Sequence, residues 1–69
     1  ASGWVHAAWQ FGGEARANGS ARSNPNREDR ENIAYYHPAG DWDAMPADDR
    51  DMARLAFFRG SASEKRNQR

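Results

Sequence analysis

The sequence predicts a mostly α-helical chain of two or three short helices joined by extended loops, with little core of its own. Several segments repeat apolar residues at helical spacing between recognisable helix starts and stops. The chain also has only six Leu, Ile, Val and Phe residues among its 69, well below the roughly 20% at which a globular core becomes doubtful. We therefore expect a partner, or self-assembly, to order it.

The first segment, residues 1–12, predicts a short aromatic helix over 3–11. Ser2 can cap the first turn of this helix through its hydroxyl oxygen. One apolar face, about 100° wide, comprises residues at helical spacing: Trp4, Ala7, Ala8, Phe11 and Ala15. Val5 and Trp9 form a second apolar edge, one turn apart. Gly12 and Gly13 predict the end of the helix, because each glycine costs about 1 kcal/mol relative to alanine.

The middle of the chain predicts a polar linker over 13–24, a weak helix over 25–37 and a loop over 38–45. Asn24 as N-cap and Pro25 at the first helical position are typical of a helix start. His37 predicts the end of this helix, because the residue before a proline avoids the helical region. The loop that follows contains an isolated tryptophan, Trp42.

The strongest prediction is an amphipathic helix over 46–60. Pro46 suits its first position, aspartates crowd its first turns, and Gly60 is a typical C-terminal stop. Its apolar stripe comprises Met52, Leu55 and Ala56, with Phe57 and Phe58 to either side. These side chains cannot all face one surface, so we expect this helix to dock in a groove of another chain or against a second copy of itself. Residues 61–69 predict a flexible, net basic tail.

Composition excludes several classes of function. Ten basic and ten acidic residues give zero net charge, which argues against nucleic acid or an anionic membrane as the main partner. The absence of cysteine excludes disulfides and cysteine-ligated zinc or iron–sulfur sites. We expect no transmembrane segment and no signal peptide, since no long apolar run is present. The compartment stays open among cytoplasm, virion and organelle interior.

The residues that could carry chemistry favour a structural interpretation. His37, Asp41 and Asp43 are metal-ligand types close in sequence, but a further ligand is missing, and aspartates that cap a loop explain them more simply. The carboxylates near Glu28 and Asp48 are typical of helix N-terminal turns. We therefore predict no catalytic residue, no metal site, no cofactor and no enzymatic activity.

The predicted function is that of a small non-enzymatic accessory or structural subunit. It would bind a larger protein complex, or copies of itself, through aromatic anchors and the C-terminal amphipathic helix. The alternative is a small nucleic-acid-binding regulator that uses arginines, aromatic residues and the basic tail. The predicted partner-binding residues are Trp4, Trp9, Phe11, Tyr36, Trp42, Met52, Leu55, Phe57 and Phe58.

Overall fold

Three α-helices and one short 3-10 helix make up the fold in the computed structural model, which describes residues 3–62. The helices are α1 (Gly3–Ala17), α2 (Arg27–Tyr35) and α3 (Ala47–Ala62), and the 3-10 helix is Trp42–Ala44. The prediction of a mostly helical fold is confirmed. The proposed Ser2 cap, and all but the first two residues of the predicted tail, lie outside the described residues.

The first helix does not end at the glycine pair but continues to Ala17. Gly12 lies where α1 crosses α3, and a Cβ atom there would stand 2.9 Å from the backbone nitrogen of Ser61 and closer still to the carbonyl oxygen of Phe57. The expected end at Phe11 was therefore wrong, because this backbone approach outweighs the weak helix propensity of glycine.

The third helix likewise passes through Gly60 and ends at Ala62. A Cβ atom on Gly60 would collide with the carbonyl group of Trp9, so this glycine serves the same crossing from the other side. Ala8 and Ala56 lie one turn before Gly12 and Gly60 and are buried. Small residues on both helices thus bring the two backbones close together.

The second helix begins two residues later than expected. Its N-cap is Asn26 rather than Asn24, and the Asn26 side chain accepts a hydrogen bond of 2.8 Å from the backbone N–H of Asp29. The Asp29 carboxylate accepts one of 3.0 Å from the backbone N–H of Asn26. This reciprocal capping box satisfies two N–H groups at once, whereas Pro25 is buried before the helix starts.

The three helices run up, down and up. Val5 and Met52 line one recess and Arg16 and Ala62 line another, so α1 and α3 run in the same direction. The second helix, which lies between them in sequence, runs in the opposite direction. The last turns of α1 line a recess together with the first turn of α2. Trp4, near the start of α1, contacts His37 just after the last turn of α2.

The core is small but continuous, which differs from the expectation of little core. Five of its nine buried residues are alanines, and they let the backbones approach until a few large side chains fill the centre. No helix in the range 3–62 is both long and apolar enough to span a bilayer. The buried core residues are Ala8, Ala15, Ile33, Ala34, Trp42, Met45, Ala53, Ala56 and Phe57.

Candidate functional site

The predicted partner-binding residues divide by burial. Phe57 is fully buried and Trp42 is nearly so, and both belong to the core. Trp4 and Phe11 are half-buried against the same core. The remaining five are exposed: Trp9, Tyr36, Met52, Leu55 and Phe58.

A groove between α1 and α3 collects several of the exposed apolar side chains. It encloses about 550 Å³, and its lining comprises Val5, His6, Trp9, Met52, Leu55, Ala56 and Arg59. Leu55 and Met52 are each 50% exposed and Trp9 is 48% exposed. Its walls are therefore mainly apolar, with His6 and Arg59 as the polar groups.

Phe58 lies beside this groove on α3, where it lines a second recess with Arg16 and Arg22. It lies one turn beyond Leu55 and is 44% exposed, although its neighbour Phe57 has no exposed surface. We call the surface formed by these large side chains the outer patch, and its members are Val5, Trp9, Met52, Leu55 and Phe58. Sequence reasoning named every member except Val5 as a partner-binding residue, and it placed Val5 on the same edge of α1 as Trp9.

Charges of opposite sign flank the outer patch along α3. Asp48 and Asp51 lie on exposed positions in the first turns of the helix, and Arg59 lies on an exposed position in its last turns. Asp51 also forms an ion pair of 3.0 Å with Arg54. The exposed face of α3 is thus acidic at its start, apolar in its middle and basic near its end.

A second aromatic surface lies on the other side of the molecule, where α1 meets α2. Tyr35 and Tyr36 are 78% and 52% exposed, and their rings meet edge to face with centroids 5.2 Å apart. Phe11 lies beside Tyr36, at 6.4 Å between centroids. The sequence-based set missed Tyr35, since its position on a weak helix gave no sign that it would be exposed.

His37 is the most enclosed titratable side chain of the loops, and both of its ring nitrogens are engaged. Nε2 lies 2.8 Å from a carboxylate oxygen of Asp49, and Nδ1 accepts a hydrogen bond of 2.9 Å from the backbone N–H of Ala39. The acceptor role of Nδ1 places the proton of the neutral ring on Nε2. Trp4 packs edge-on against the ring. This arrangement fastens the end of α2 to the start of α3 and leaves no ring nitrogen for a substrate.

The loop carboxylates near His37 do not join it. Asp41 caps the 3-10 helix, where its side chain accepts a hydrogen bond of 3.3 Å from the backbone N–H of Asp43. Within residues 3–62, no three side chains of the metal-binding types lie together in a group that could hold an ion. His37, Asp41 and Asp43 are therefore close in sequence because they belong to a turn and a helix cap.

Arg22 and Asp29 form the main charged contact that the sequence did not reveal. The Arg22 guanidinium donates through Nε and Nη2 to one oxygen of Asp29, at 3.0 and 2.8 Å. The same guanidinium lies 5.7 Å from the centre of the Phe57 ring, and the backbone N–H of Arg22 donates to the hydroxyl of Ser61. Arg22 thus joins the polar linker to both α2 and α3.

Most of the arginines in the described range are already occupied. Three hold carboxylates, namely Arg22, Arg27 and Arg54, and two donate to backbone carbonyl groups, namely Arg30 and Arg50. The range 3–62 also contains seven arginines against nine acidic residues. This excess of acidic residues makes the described range net negative, which disfavours binding of phosphate groups.

Comparison with protein-family models, with curated proteins and with solved structures finds no match to this chain. The function is therefore inferred from the outer patch, the charges beside it and the contacts of the polar side chains.

Proposed function

We propose that this chain is a small non-enzymatic binding subunit, which docks on another protein surface through the outer patch. The observation that carries this proposal is the group of half-exposed large apolar side chains in and beside the groove around Leu55. Soluble monomers rarely leave such side chains together in water, and larger exposed patches mark interaction sites. Tryptophan, phenylalanine and methionine are also enriched at protein interfaces.

The energetics favour a protein surface as the occupant. Covering the half of each large side chain that is still in water contributes about 1 kcal/mol apiece. The side chains come from two helices whose backbones are fixed by the glycine crossing, so little backbone ordering is needed on binding. The outer patch is therefore a preformed site.

The polar side chains support a non-enzymatic role over a catalytic one. Candidate general acids and bases need a free, positioned proton-transfer atom within reach of a substrate. His37 uses both ring nitrogens within the chain, and the carboxylate of Asp29 is held by Arg22 and the α2 cap. The alternative of a nucleic-acid-binding regulator has less support, because five arginines are already engaged.

Site-specific photocrosslinking in the cells that make the protein tests this proposal. A photoreactive phenylalanine analogue replaces Leu55 in one variant, Trp9 in a second and the exposed Glu28 of α2 in a third. We expect discrete protein adducts from positions 55 and 9, but not from position 28. Equal adduct patterns at all three positions would show that the outer patch is not the binding surface.

A further inference from the structure

We propose that the protein surface seated on the outer patch is a second copy of this chain, with the two α3 helices packed antiparallel about Leu55. This inference rests on the proposed function, since it names the occupant of the same surface. It follows from the order of side chains along the exposed face of α3, which complements itself when one helix is reversed.

Helical geometry places the relevant side chains on one face. Asp48, Met52, Leu55 and Arg59 are spaced by three or four residues, which keeps them along one side of a helix. All four are exposed. Phe58 borders the same face one turn after Leu55 and is also exposed.

Reversal about Leu55 pairs like with like in the middle and unlike charges at the ends. In an antiparallel pair centred on Leu55, the turn that holds Met52 lies opposite the turn that holds Phe58 in the other copy. Arg59, four residues after Leu55, lies opposite Asp51 of the other copy, and Asp48 lies one turn further out, opposite Ala62. Apolar side chains therefore meet at the centre, and a carboxylate end meets a guanidinium end twice, as a two-fold axis requires.

A parallel pair lacks this complementarity. It would place Asp48 beside Asp48 and Arg59 beside Arg59 of the other copy, and like charges across an interface oppose association. The helix dipoles also favour the antiparallel arrangement, because the partially negative C-terminal end of one helix then lies beside the partially positive N-terminal end of the other. The groove beside α3 adds Trp9 of each copy to the flanks of this contact.

Sedimentation of the purified full chain gives the first test. We expect a concentration-dependent dimer of the 7.8 kDa chain. Leu55→Glu places two carboxylates on the two-fold axis and should weaken the dimer at least about tenfold, as expected for opposed like charges. Tyr35→Glu is the matched control, because it makes the same change on the exposed surface of α2, and it should leave the dimer unchanged. A wild-type chain that stays monomeric up to millimolar concentration would overturn the inference.

A charge exchange tests the direction of the helices. Arg59→Asp should weaken the dimer, and Asp51→Arg added to the same chain should restore it, since positions 51 and 59 face each other only in an antiparallel pair. Failure of the second change to restore association in a folded variant would contradict the antiparallel arrangement. Far-UV circular dichroism of both variants reports whether α3 is still formed.

Cysteine crosslinking provides a test that does not alter charge. The natural chain has no cysteine, so Leu55→Cys introduces a single thiol close to the proposed axis. Mild oxidation should link two chains through position 55, whereas Tyr35→Cys should not form this product. If the purified chain is monomeric and position 55 crosslinks to a different protein in cells, the second copy is refuted but the proposed binding function stands.

Discussion

The inner and outer faces of the α1–α3 pair are built in opposite ways. On the inner face, Gly12 and Gly60 let the backbones touch, and the side chains there are small. On the outer face, Trp9 and Leu55 stand half in water. Large apolar side chains usually fill the interior of a domain, but here the pairing of two helices is fixed by the smallest residues. Among the large apolar side chains of this pair, Phe57 enters the core, whereas Trp9 and Leu55 remain half-exposed.

The largest expected difference in stability is between alanine substitutions at two neighbouring phenylalanines. Phe57→Ala removes a fully buried ring and should lower the free energy of unfolding by about 4 kcal/mol, the usual cost of such a cavity. Phe58→Ala, on the outer patch, should lower the free energy of unfolding of the monomer by less than about 1 kcal/mol. Chemical denaturation at low protein concentration measures both variants. Similar losses would mean that the two faces do not differ as described.

The next largest difference in stability is expected between alanine substitutions at two neighbouring glycines. Gly12→Ala drives a methyl group into the backbone of α3 and should cost about 3 kcal/mol, at the upper end for an overpacked site. Gly13→Ala meets only the carbonyl oxygen of Gly60, at an ordinary 3.7 Å, so it should gain up to about 1 kcal/mol from helix propensity. Thermal melting followed by circular dichroism gives the sign of each change. A stabilised Gly12→Ala variant would disprove the close crossing.

A smaller effect concerns the linker that closes over the inner face. Arg22→Ala leaves the nearly buried carboxylate of Asp29 without its guanidinium and should cost about 2 kcal/mol. Arg27→Ala breaks a pair whose side chains are 86% and 65% exposed, and should cost less than about 0.5 kcal/mol. Urea denaturation of the two variants decides the matter. Equal midpoints would show that the Arg22 contact has no special role.

The smallest effect on folding belongs to the outer patch. Met52→Gln combined with Leu55→Gln should change the stability of the isolated monomer by less than about 1 kcal/mol, because both side chains are half in water already. The same double variant should lose the concentration dependence of the melting temperature that a dimer confers. Calorimetry over a range of protein concentrations measures both. A large loss of stability at the lowest protein concentration would show that these residues belong to the core.

The helical elements could be predicted from the sequence, but the direction in which they face could not. On α3 the sequence pattern predicts Met52, Leu55 and Ala56 as the apolar face, whereas Ala53, Ala56 and Phe57 are the residues that point inward. A pattern weighted by large apolar residues misjudges a helix whose packing face is alanine and glycine. The spacing of Ala8 with Gly12, and of Ala56 with Gly60, carried the missing signal.

The polar contacts were predictable only where they are local. The spacing of Asn26 and Asp29 fits a capping box and could have placed the start of α2 correctly. The contact of Arg22 with Asp29 crosses a loop, and that of His37 with Asp49 joins two helices. No local rule of sequence spacing predicts either pair. Whether the two side chains meet depends on the path of the chain between them.

The close crossing also governs the order in which the chain can fold. The contacts of Gly12 lie on Phe57 and Ser61, near the far end of the described chain, so α1 cannot complete its packing until α3 is formed. Closing so long a loop costs entropy before any contact is made. A ribosome-bound chain that stops short of Gly60 should therefore lack the α1–α3 pair, so this domain should fold only once α3 has left the ribosome.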